Sequence, residues 1–209
     1  MEIKTYPNGI FGATTYLVYD KKTQEGILID CTASVDEIIK YIENNKINLK
    51  YILITHGHFD HVYCLTKFKE KMPQVQVLMH KDDMPLLNQI PGQCEMTGIE
   101  EIKIPCIDAL ITDQTQNLTI GENKIEVIHT KGHSKGGVCY LINDILFSGD
   151  TLFKASIGRY DLFGGDPQEI EYSIKEKLFK LNDNITVYPG HGENSLISIE
   201  KSENMINFY

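Results

Sequence analysis

The sequence is short of basic residues, with 20 Lys and Arg against 29 Asp and Glu and a formal net charge of −9. Nucleic acids and anionic membrane surfaces are bound by clustered Lys and Arg, so we expect neither as a partner. No apolar run approaches the roughly 20 residues that are needed to span a bilayer. Hydrophobic residues make up 42% of the chain, which is typical of an ordinary globular protein.

A cysteine pattern typical of disulfides is also missing. The five cysteines are Cys31, Cys64, Cys94, Cys106 and Cys139, an odd number at wide spacings with no CxxC motif. This pattern disfavours a secreted disulfide scaffold and favours reduced thiols. The N-terminus has no basic region followed by an apolar core, so we expect no signal peptide. The sequence therefore predicts a cytoplasmic protein.

The length of 209 residues predicts a single domain, residues 1–209. β-Branched and aromatic runs predict strands at 15–20, 26–30, 51–54, 75–79, 124–130, 138–142, 145–148 and 186–188. Helical spacing and capping signals predict helices at 35–44, 62–71, 82–88, 167–181 and 197–207. Strands and helices are interspersed, so we expect an α/β or α+β fold with mixed sheets.

Two predicted helices carry capping residues. Ser34 with Glu37 matches a capping box, and Asp166 precedes Pro167 as an N-cap precedes the first helical position. Residues 89–117 contain several Pro and Gly and no sustained period. They are predicted to form an irregular segment that borders a pocket.

The segment Thr55–His61 reads THGHFDH and directly follows a short apolar run. Side chains two residues apart on an extended chain point to the same face, so His56 and His58 can hold one ion. As the chain turns toward the next helix, Asp60 and His61 can point to a second position nearby. Imidazole and carboxylate groups suit zinc, iron or manganese.

Three further residues of ligand type follow predicted strands, each directly after a glycine: His133, Asp150 and His191. Each is a weak signal by itself, because Gly-His and Gly-Asp turns are common. Together with THGHFDH they assign five of the seven histidines to one site.

These residues, in this order, resemble the metallo-β-lactamase fold, and in particular the glyoxalase II-like branch of small hydrolases. That branch also carries the Gly-Arg-x-Asp stretch found here at residues 158–161. The resemblance implies a four-layer αββα sandwich of two mixed β-sheets flanked by helices, with metals at one edge. It implies that one metal is held by His56, His58 and His133 and a second by Asp60, His61 and His191, with Asp150 bridging both.

The function that the resemblance implies is a dinuclear metal-dependent hydrolase, in which a metal-bridging hydroxide attacks the substrate. Zinc is the expected divalent metal, with iron or manganese as alternatives. A small acyl thioester of the hydroxyacylglutathione type is the expected substrate, because a thiolate leaves without an acid catalyst. Asp60 is expected to orient the hydroxide. Arg159 and Tyr160 are expected to contact a substrate anion, unless Arg159 pairs with Asp161 or Asp166 instead.

Three alternatives stay open. Persulfide dioxygenases share the fold and use one iron at positions that match His56, His133 and Asp150. A non-enzymatic metal scaffold is the second alternative. The third is a serine hydrolase, because residues 132–136 match G-x-S-x-G around Ser134. A nucleophile elbow needs a helix after the serine, whereas a strand pattern follows here.

The remaining singled-out residues are predicted to support the structure. His80 is expected at the surface or as a helix cap, and His129 within the strand that precedes His133 or behind one of the ligands. Asp30 is expected to orient a metal-site histidine.

Overall fold

The computed structural model describes residues 1–115 and 117–208. Its strands are β1 (Glu2–Tyr6), β2 (Thr15–Tyr19), β3 (Glu25–Ile29), β4 (Asn48–Leu53), β5 (Gln76–His80), β6 (Ala109–Ile111), β7 (Leu118–Ile120), β8 (Asn123–His129), β9 (Val138–Ile142), β10 (Ile145–Gly149), β11 (Leu152–Phe153), β12 (Ser156–Ile157), β13 (Thr186–Pro189) and β14 (Ser195–Leu196). Its α-helices are α1 (Val35–Asn44), α2 (Phe59–Val62), α3 (Leu65–Lys71), α4 (Met84–Leu87), α5 (Ile90–Thr97), α6 (Pro167–Tyr172) and α7 (Ile197–Glu203). A π-helical turn at Ser173–Lys177 and a 3₁₀ turn at Leu178–Lys180 continue α6, and 3₁₀ turns also occur at Ile10–Gly12, Lys81–Asp83 and Met205–Phe208.

The strands form two large mixed sheets, as predicted. Sheet one has the order β1-β2-β3-β4-β5-β6, and sheet two has the order β14-β13-β10-β9-β8-β7. In sheet one, β1, β2 and β3 are antiparallel and β3 to β6 are parallel. In sheet two, β10 and β13 pair in parallel and the other neighbours are antiparallel. A separate small ribbon joins β11 to β12.

The four layers follow from the alternation of side chains along each strand. In β2, Leu17 packs on helices α1 and α3 through Ile38 and Phe68. Its neighbours Tyr16 and Val18 face sheet two instead. A third apolar cluster lies between sheet two and the helices α6 and α7. The predicted αββα sandwich is therefore confirmed.

Two buried tyrosines connect the sheets across their interface. The Tyr140 hydroxyl of sheet two donates to the Ile54 carbonyl after β4, at 2.8 Å. The Tyr16 hydroxyl of sheet one donates to the Pro189 carbonyl of β13, at 2.6 Å. Burial raises the pKa of both hydroxyls, so they remain protonated donors. Each bond ends directly before a turn that carries predicted ligands.

The structure corrects two predictions. Residues 90–97 form helix α5 and residues 109–111 form β6, inside the segment predicted to be irregular; Gln116 of that segment lies outside the described residues. A proline in the first turn favours the start of α5, and Gly98 at φ +69° ends it. Only two side chains of this helix are buried. The predicted capping box is wrong, because Ser34 is left-handed at φ +58° and makes no capping bond. Asp166 caps α6 as predicted, accepting from the Gln168 and Glu169 amides.

None of the helices in the described part of the chain is both long and apolar enough to cross a membrane.

Candidate metal centre

The predicted ligand residues all follow strands closely, five of them in turns and Asp60 and His61 in the short helix α2. The THGHFDH segment leaves the end of β4 and enters α2, which places ligand candidates from sheet one. The other three turns leave β8, β10 and β13 of sheet two. Because the two sheets pack face to face, these turns meet at one edge of the sandwich. The structure brings together all seven predicted residues: His56, His58, Asp60, His61, His133, Asp150 and His191.

Three imidazoles converge on one point. His133 Nε2 lies 3.2 Å from His56 Nε2 and 2.9 Å from His58 Nδ1. All three rings are buried. Ring nitrogens at this spacing match the edges of a tetrahedron around a zinc-sized ion, which are about 3.3 Å for bonds of 2.0–2.1 Å.

A second group of three lies beside the first. His61 Nε2 is 3.2 Å from His191 Nε2, and Asp60 Oδ2 is 3.8 Å from the first nitrogen and 3.4 Å from the second. His61 is fully buried, whereas His191 keeps about a quarter of its side chain exposed. The second group therefore has one side open to solvent.

The Asp150 carboxylate lies between the two groups. Its Oδ2 is 3.6 Å from His133 Nε2 and 3.4 Å from His191 Nε2, and its Oδ1 is 3.3 Å from His61 Nε2. One carboxylate thus faces nitrogens of both triads, which is the position that the family resemblance implies for a bridging ligand.

Hydrogen bonds at the outer ring nitrogens decide where the inner lone pairs point. The carbonyls of Arg159 and Phe11 can only accept, so His133 Nδ1 and His191 Nδ1 carry the hydrogens, at 2.7 and 3.2 Å. In the neutral form that binds metal, each ring then directs the lone pair of Nε2 toward the centre. This is the arrangement in which outer partners prepare histidines for a metal.

Asp30 fixes two more rings from behind, as predicted. Its Oδ2 accepts from His61 Nδ1 at 2.8 Å and from the Thr55 hydroxyl at 2.8 Å. The single hydroxyl hydrogen of Thr55 is donated to Asp30 in a hydrogen bond. The Thr55 oxygen therefore accepts from His56 Nδ1 at 3.0 Å, which leaves His56 Nε2 with an inward lone pair.

The electrostatics of the two triads differ. Burial lowers the pKa of His56 and lowers that of His58 to about 3, so both rings are neutral. Burial also lowers the pKa of His61, but the facing carboxylates, Asp150 first, outweigh it and raise that pKa well above its usual value. Burial by itself raises the pKa of Asp150, but the surrounding imidazoles lower it by a larger amount. The net pKa is well below its usual value, so the carboxylate is ionised. The metal-free first triad thus contains the neutral rings of His56 and His58, whereas the second triad contains imidazoles that the ionised carboxylates keep protonated.

One orphaned atom shows that a cation fits this arrangement. Asp150 Oδ1 is buried and accepts no hydrogen bond from the described residues. An ionised oxygen in such a position is costly unless a positive group faces it. A divalent ion in either triad would compensate this charge, and the nitrogen and oxygen donors match zinc, iron or manganese.

Sequence reasoning missed Asp83, which connects the turn that carries His56 and His58 with the turn that carries His133. Its Oδ2 accepts from the Gly57 amide and the Ser134 hydroxyl, both at 2.8 Å, and its Oδ1 accepts from the Gly136 amide at 2.5 Å. Gly57 separates His56 from His58, and Ser134 follows His133. Burial raises the pKa of this carboxyl. No local pattern around residue 83 indicates this role, because its partners are distant in sequence.

The predicted substrate contacts lie near the centre but point outward. The Arg159 side chain makes a two-bond ion pair with Asp161, at 2.7 and 2.8 Å, and is mostly exposed. Tyr160 is exposed as well. Both residues line a cleft of about 370 Å³ together with part of α6. Only the carbonyl of Arg159 reaches a predicted ligand, His133.

The serine-hydrolase alternative does not fit the geometry. Ser134 is buried and its hydroxyl donates to Asp83 rather than to a histidine. The turn leads into strand β9 and not into the helix that a nucleophile elbow requires.

His80 and His129 lie outside the centre. His80 caps the 3₁₀ turn at residues 81–83 as predicted, but it is buried rather than at the surface. His129, at the end of β8, stacks on His80 and contacts none of the seven predicted ligands.

Comparisons with known proteins agree with this geometry. A family model described as the metallo-beta-lactamase superfamily matches residues 8–191. Hydroxyacylglutathione hydrolase GloC of Haemophilus influenzae is 32% identical over 211 residues, which cover 98% of this chain and 97% of that protein. The crystal structure of the B3 metallo-beta-lactamase BLEG-1 has a TM-score of 0.88 at 31% identity and covers 98% of each chain. A structure of TTHA1623 in a di-iron-bound form has a TM-score of 0.85 at 29% identity, covering 98% of this chain and 99% of that one.

Proposed function

Because the chain belongs to the metallo-beta-lactamase superfamily, we propose that it is a hydrolase that uses two divalent metal ions, zinc foremost, to cleave an acyl thioester. The observation that carries the proposal is the Asp150 carboxylate, which faces nitrogens of both triads within 3.3–3.6 Å. One ion would be held by His56, His58 and His133 and the other by Asp60, His61 and His191, with Asp150 shared.

When bound, the two ions would lower the pKa of a water molecule and polarise the substrate carbonyl. The protein contributes fixed ligand orientation, since the outer ring nitrogens of His56, His61, His133 and His191 are all held by hydrogen bonds. Asp60 contributes a proton acceptor. Burial by itself raises the pKa of Asp60, but His61 and His191 lower it by a larger amount, so the net pKa is lowered and Asp60 is ionised. It can therefore accept a hydrogen bond from the attacking water.

The substrate class rests on the relative GloC, whose name gives hydroxyacylglutathione hydrolase activity for that protein. Among the described residues, every buried carboxyl at the site has a ligand or supporting role, and none is left to protonate a leaving group. A thiolate, with a thiol pKa of about 8.5, leaves without an acid catalyst. Arg159 and Tyr160 are the proposed contacts for an anionic part of the substrate. Arg159 would have to exchange its ion pair with Asp161 for the substrate anion.

The test is hydrolysis of a hydroxyacylglutathione by zinc-loaded protein, with a β-lactam as the comparison substrate. We expect at least two metal ions per chain and thioester turnover. Asp150→Ala is expected to lose turnover by at least about a hundredfold together with metal. Ser134→Ala, which removes the hydroxyl of the rejected alternative, keeps turnover within about tenfold. Turnover of the β-lactam but not of the thioester would overturn the proposed substrate. Turnover by metal-free protein would overturn the proposed metal-dependent hydrolysis as well.

One observation favours a second candidate, a mononuclear iron dioxygenase acting on a persulfide. His56, His133 and Asp150 form a compact set of two imidazoles and one carboxylate, with atoms 3.2–4.0 Å apart. Such a set suits non-haem iron. The hydrolase remains the better proposal, because the second triad would then have no ion. One tightly bound iron per chain with oxygen uptake on glutathione persulfide would select the dioxygenase.

A further inference from the structure

The two histidines outside the metal centre form a cluster of their own with Asp113. His80 and His129 stack with ring centroids 4.0 Å apart, and both are buried. Asp113 Oδ1 lies 3.2 Å from His80 Nε2 and 2.5 Å from His129 Nδ1. One carboxylate oxygen therefore faces two buried imidazoles. None of these three residues belongs to the seven of the metal centre.

The hydrogens in this cluster can be assigned from its neighbours. His129 Nε2 lies 2.9 Å from the Lys135 carbonyl, so that nitrogen carries a hydrogen. A neutral His129 ring then points the lone pair of Nδ1 directly at the Asp113 carboxylate. Two electron pairs at 2.5 Å repel each other unless a cation joins them. That cation is either a proton or a metal ion.

We propose that this cluster is a third metal site, which takes a divalent transition ion such as Zn²⁺ through His80 Nε2, His129 Nδ1 and Asp113 Oδ1. The three atoms lie within 4.8 Å of one another. Two imidazoles and one carboxylate are a common donor set for zinc, and a fourth position would be open to water. Binding displaces the proton between His129 and Asp113.

The surroundings support metal rather than only structural use of the rings. Burial lowers the pKa of His80, which keeps that ring neutral and able to coordinate. The Lys135 carbonyl holds the far nitrogen of His129, as outer partners do in metal sites. In the metal-free protein His80 Nδ1 accepts from the Asp82 amide at 3.4 Å. Binding through Nε2 would move the hydrogen of the ring to Nδ1, which would exchange that long bond for a contact with Asp82 Oδ2, 3.9 Å away.

The site also has room to adjust and a path for the ion. Ligand atoms of a tetrahedral zinc site are about 3.3 Å apart, so the contact of 3.2 Å already fits. The shorter contact must open by a movement of Asp113, whose side chain is 66% exposed. An exposed carboxylate over two buried rings lets an ion enter from solvent.

The position in the fold gives the ion a structural consequence. His80 ends β5 and Asp113 follows β6, both in sheet one, whereas His129 ends β8 in sheet two. A bound ion would connect the two sheets outside the proposed hydrolytic centre. We therefore expect it to raise thermal stability without being needed for turnover.

The test is a zinc titration of metal-free protein, with bound metal measured by elemental analysis after gel filtration. Wild type and the control Asp144→Asn, which removes an exposed charge far from the cluster, are expected to bind one equivalent more than Asp113→Asn. That extra equivalent should raise the Tm. Its affinity should fall at least about tenfold in Asp113→Asn. Hydrolytic turnover of Asp113→Asn should equal that of wild type.

Because Asp113 is exposed, its amide variant is expected to fold. His80→Gln provides a second, independent loss of the same equivalent. Equal stoichiometry and equal zinc-dependent Tm shifts in wild type and Asp113→Asn would overturn the proposal and leave the cluster as a proton-bridged ion pair. An extra equivalent that both Asp113→Asn and His80→Gln retain would mark adventitious binding and overturn it too.

Discussion

Asp83→Asn is expected to weaken metal binding at one triad and to leave the other intact. Asp83 accepts three hydrogen bonds, from the Gly57 amide, the Gly136 amide and the Ser134 hydroxyl. An asparagine offers one accepting oxygen, and its NH₂ group must then face a backbone N–H that cannot rotate away. The substitution keeps the volume of the side chain but replaces one of its two hydrogen-bond-accepting oxygens by a donor.

The magnitude follows from the bonds that are lost. A buried backbone donor without a partner costs about 1–3 kcal/mol. Because burial raises the pKa of Asp83, the carboxylate itself is held at some cost, which the neutral amide avoids. We therefore expect the free energy of unfolding to fall by about 1–3 kcal/mol rather than by more. Loosening the turns that carry His56, His58 and His133 should lower the affinity of the first triad for metal by about 10–100-fold.

The assay is denaturant unfolding of the metal-free proteins together with calorimetric zinc titration. Asp82→Asn is the matched control, since it removes the neighbouring charge, which pairs with exposed Lys81. The control should stay within about 0.5 kcal/mol of wild type. Ser134→Ala, which removes the only mobile donor, should have an effect between the two. If Asp83→Asn binds both active-site equivalents as tightly as Asp82→Asn, the assigned role of Asp83 is wrong.

Two further predictions concern the proton balance of the centre and one glycine. Burial lowers the pKa of His191, but Asp150 and Asp60 raise it to about 9, so the metal-free ring is charged at pH 7 and must lose a proton to bind metal. Zinc affinity should therefore rise with pH up to about 9, by about tenfold per unit for each proton displaced; calorimetry in buffers of different ionisation enthalpy counts these protons, and no release would contradict the assignment. Gly132→Ala should lower the free energy of unfolding by about 2–4 kcal/mol, because φ is +132° and a methyl group would meet the Ile170 backbone. Gly92→Ala, with open space at its Cα, serves as the control, and equal melting temperatures would refute the steric reasoning.

The grouping of the seven ligand candidates can largely be predicted because its signals are local. The spacing of His56 and His58 after an apolar strand, and glycine before each later ligand, are visible in short windows of sequence. Asp83 was not predictable, since its partners lie 26 to 53 residues away along the chain. The sequence predicts Asp30 as support for a histidine, and the structure shows that it holds His61 directly and His56 through Thr55.

Elements with weak periodicity were predicted less well. The strands of the two sheet interiors carry β-branched runs, and each was found close to its predicted position. Helix α5 was missed because Pro91 and Gly92 stand in its first turn and only two of its side chains are buried. The Ser34 cap failed for a different reason. A capping motif in the sequence specifies residue types but not the backbone angle, and here the chain enters α1 through a left-handed residue.

The two tyrosine bonds between the sheets have a consequence for how the centre can vary. Ile54, whose carbonyl accepts from Tyr140, precedes the turn with His56, and Pro189, whose carbonyl accepts from Tyr16, precedes the turn with His191. If one sheet slid along the other, both buried hydroxyls would lose their acceptors. Each triad takes ligand candidates from both sheets, so the assembly of both triads is a property of the interface between the sheets. A change that shifted one sheet along the other would have to replace this pair of tyrosine bonds as well as reposition the ligand candidates.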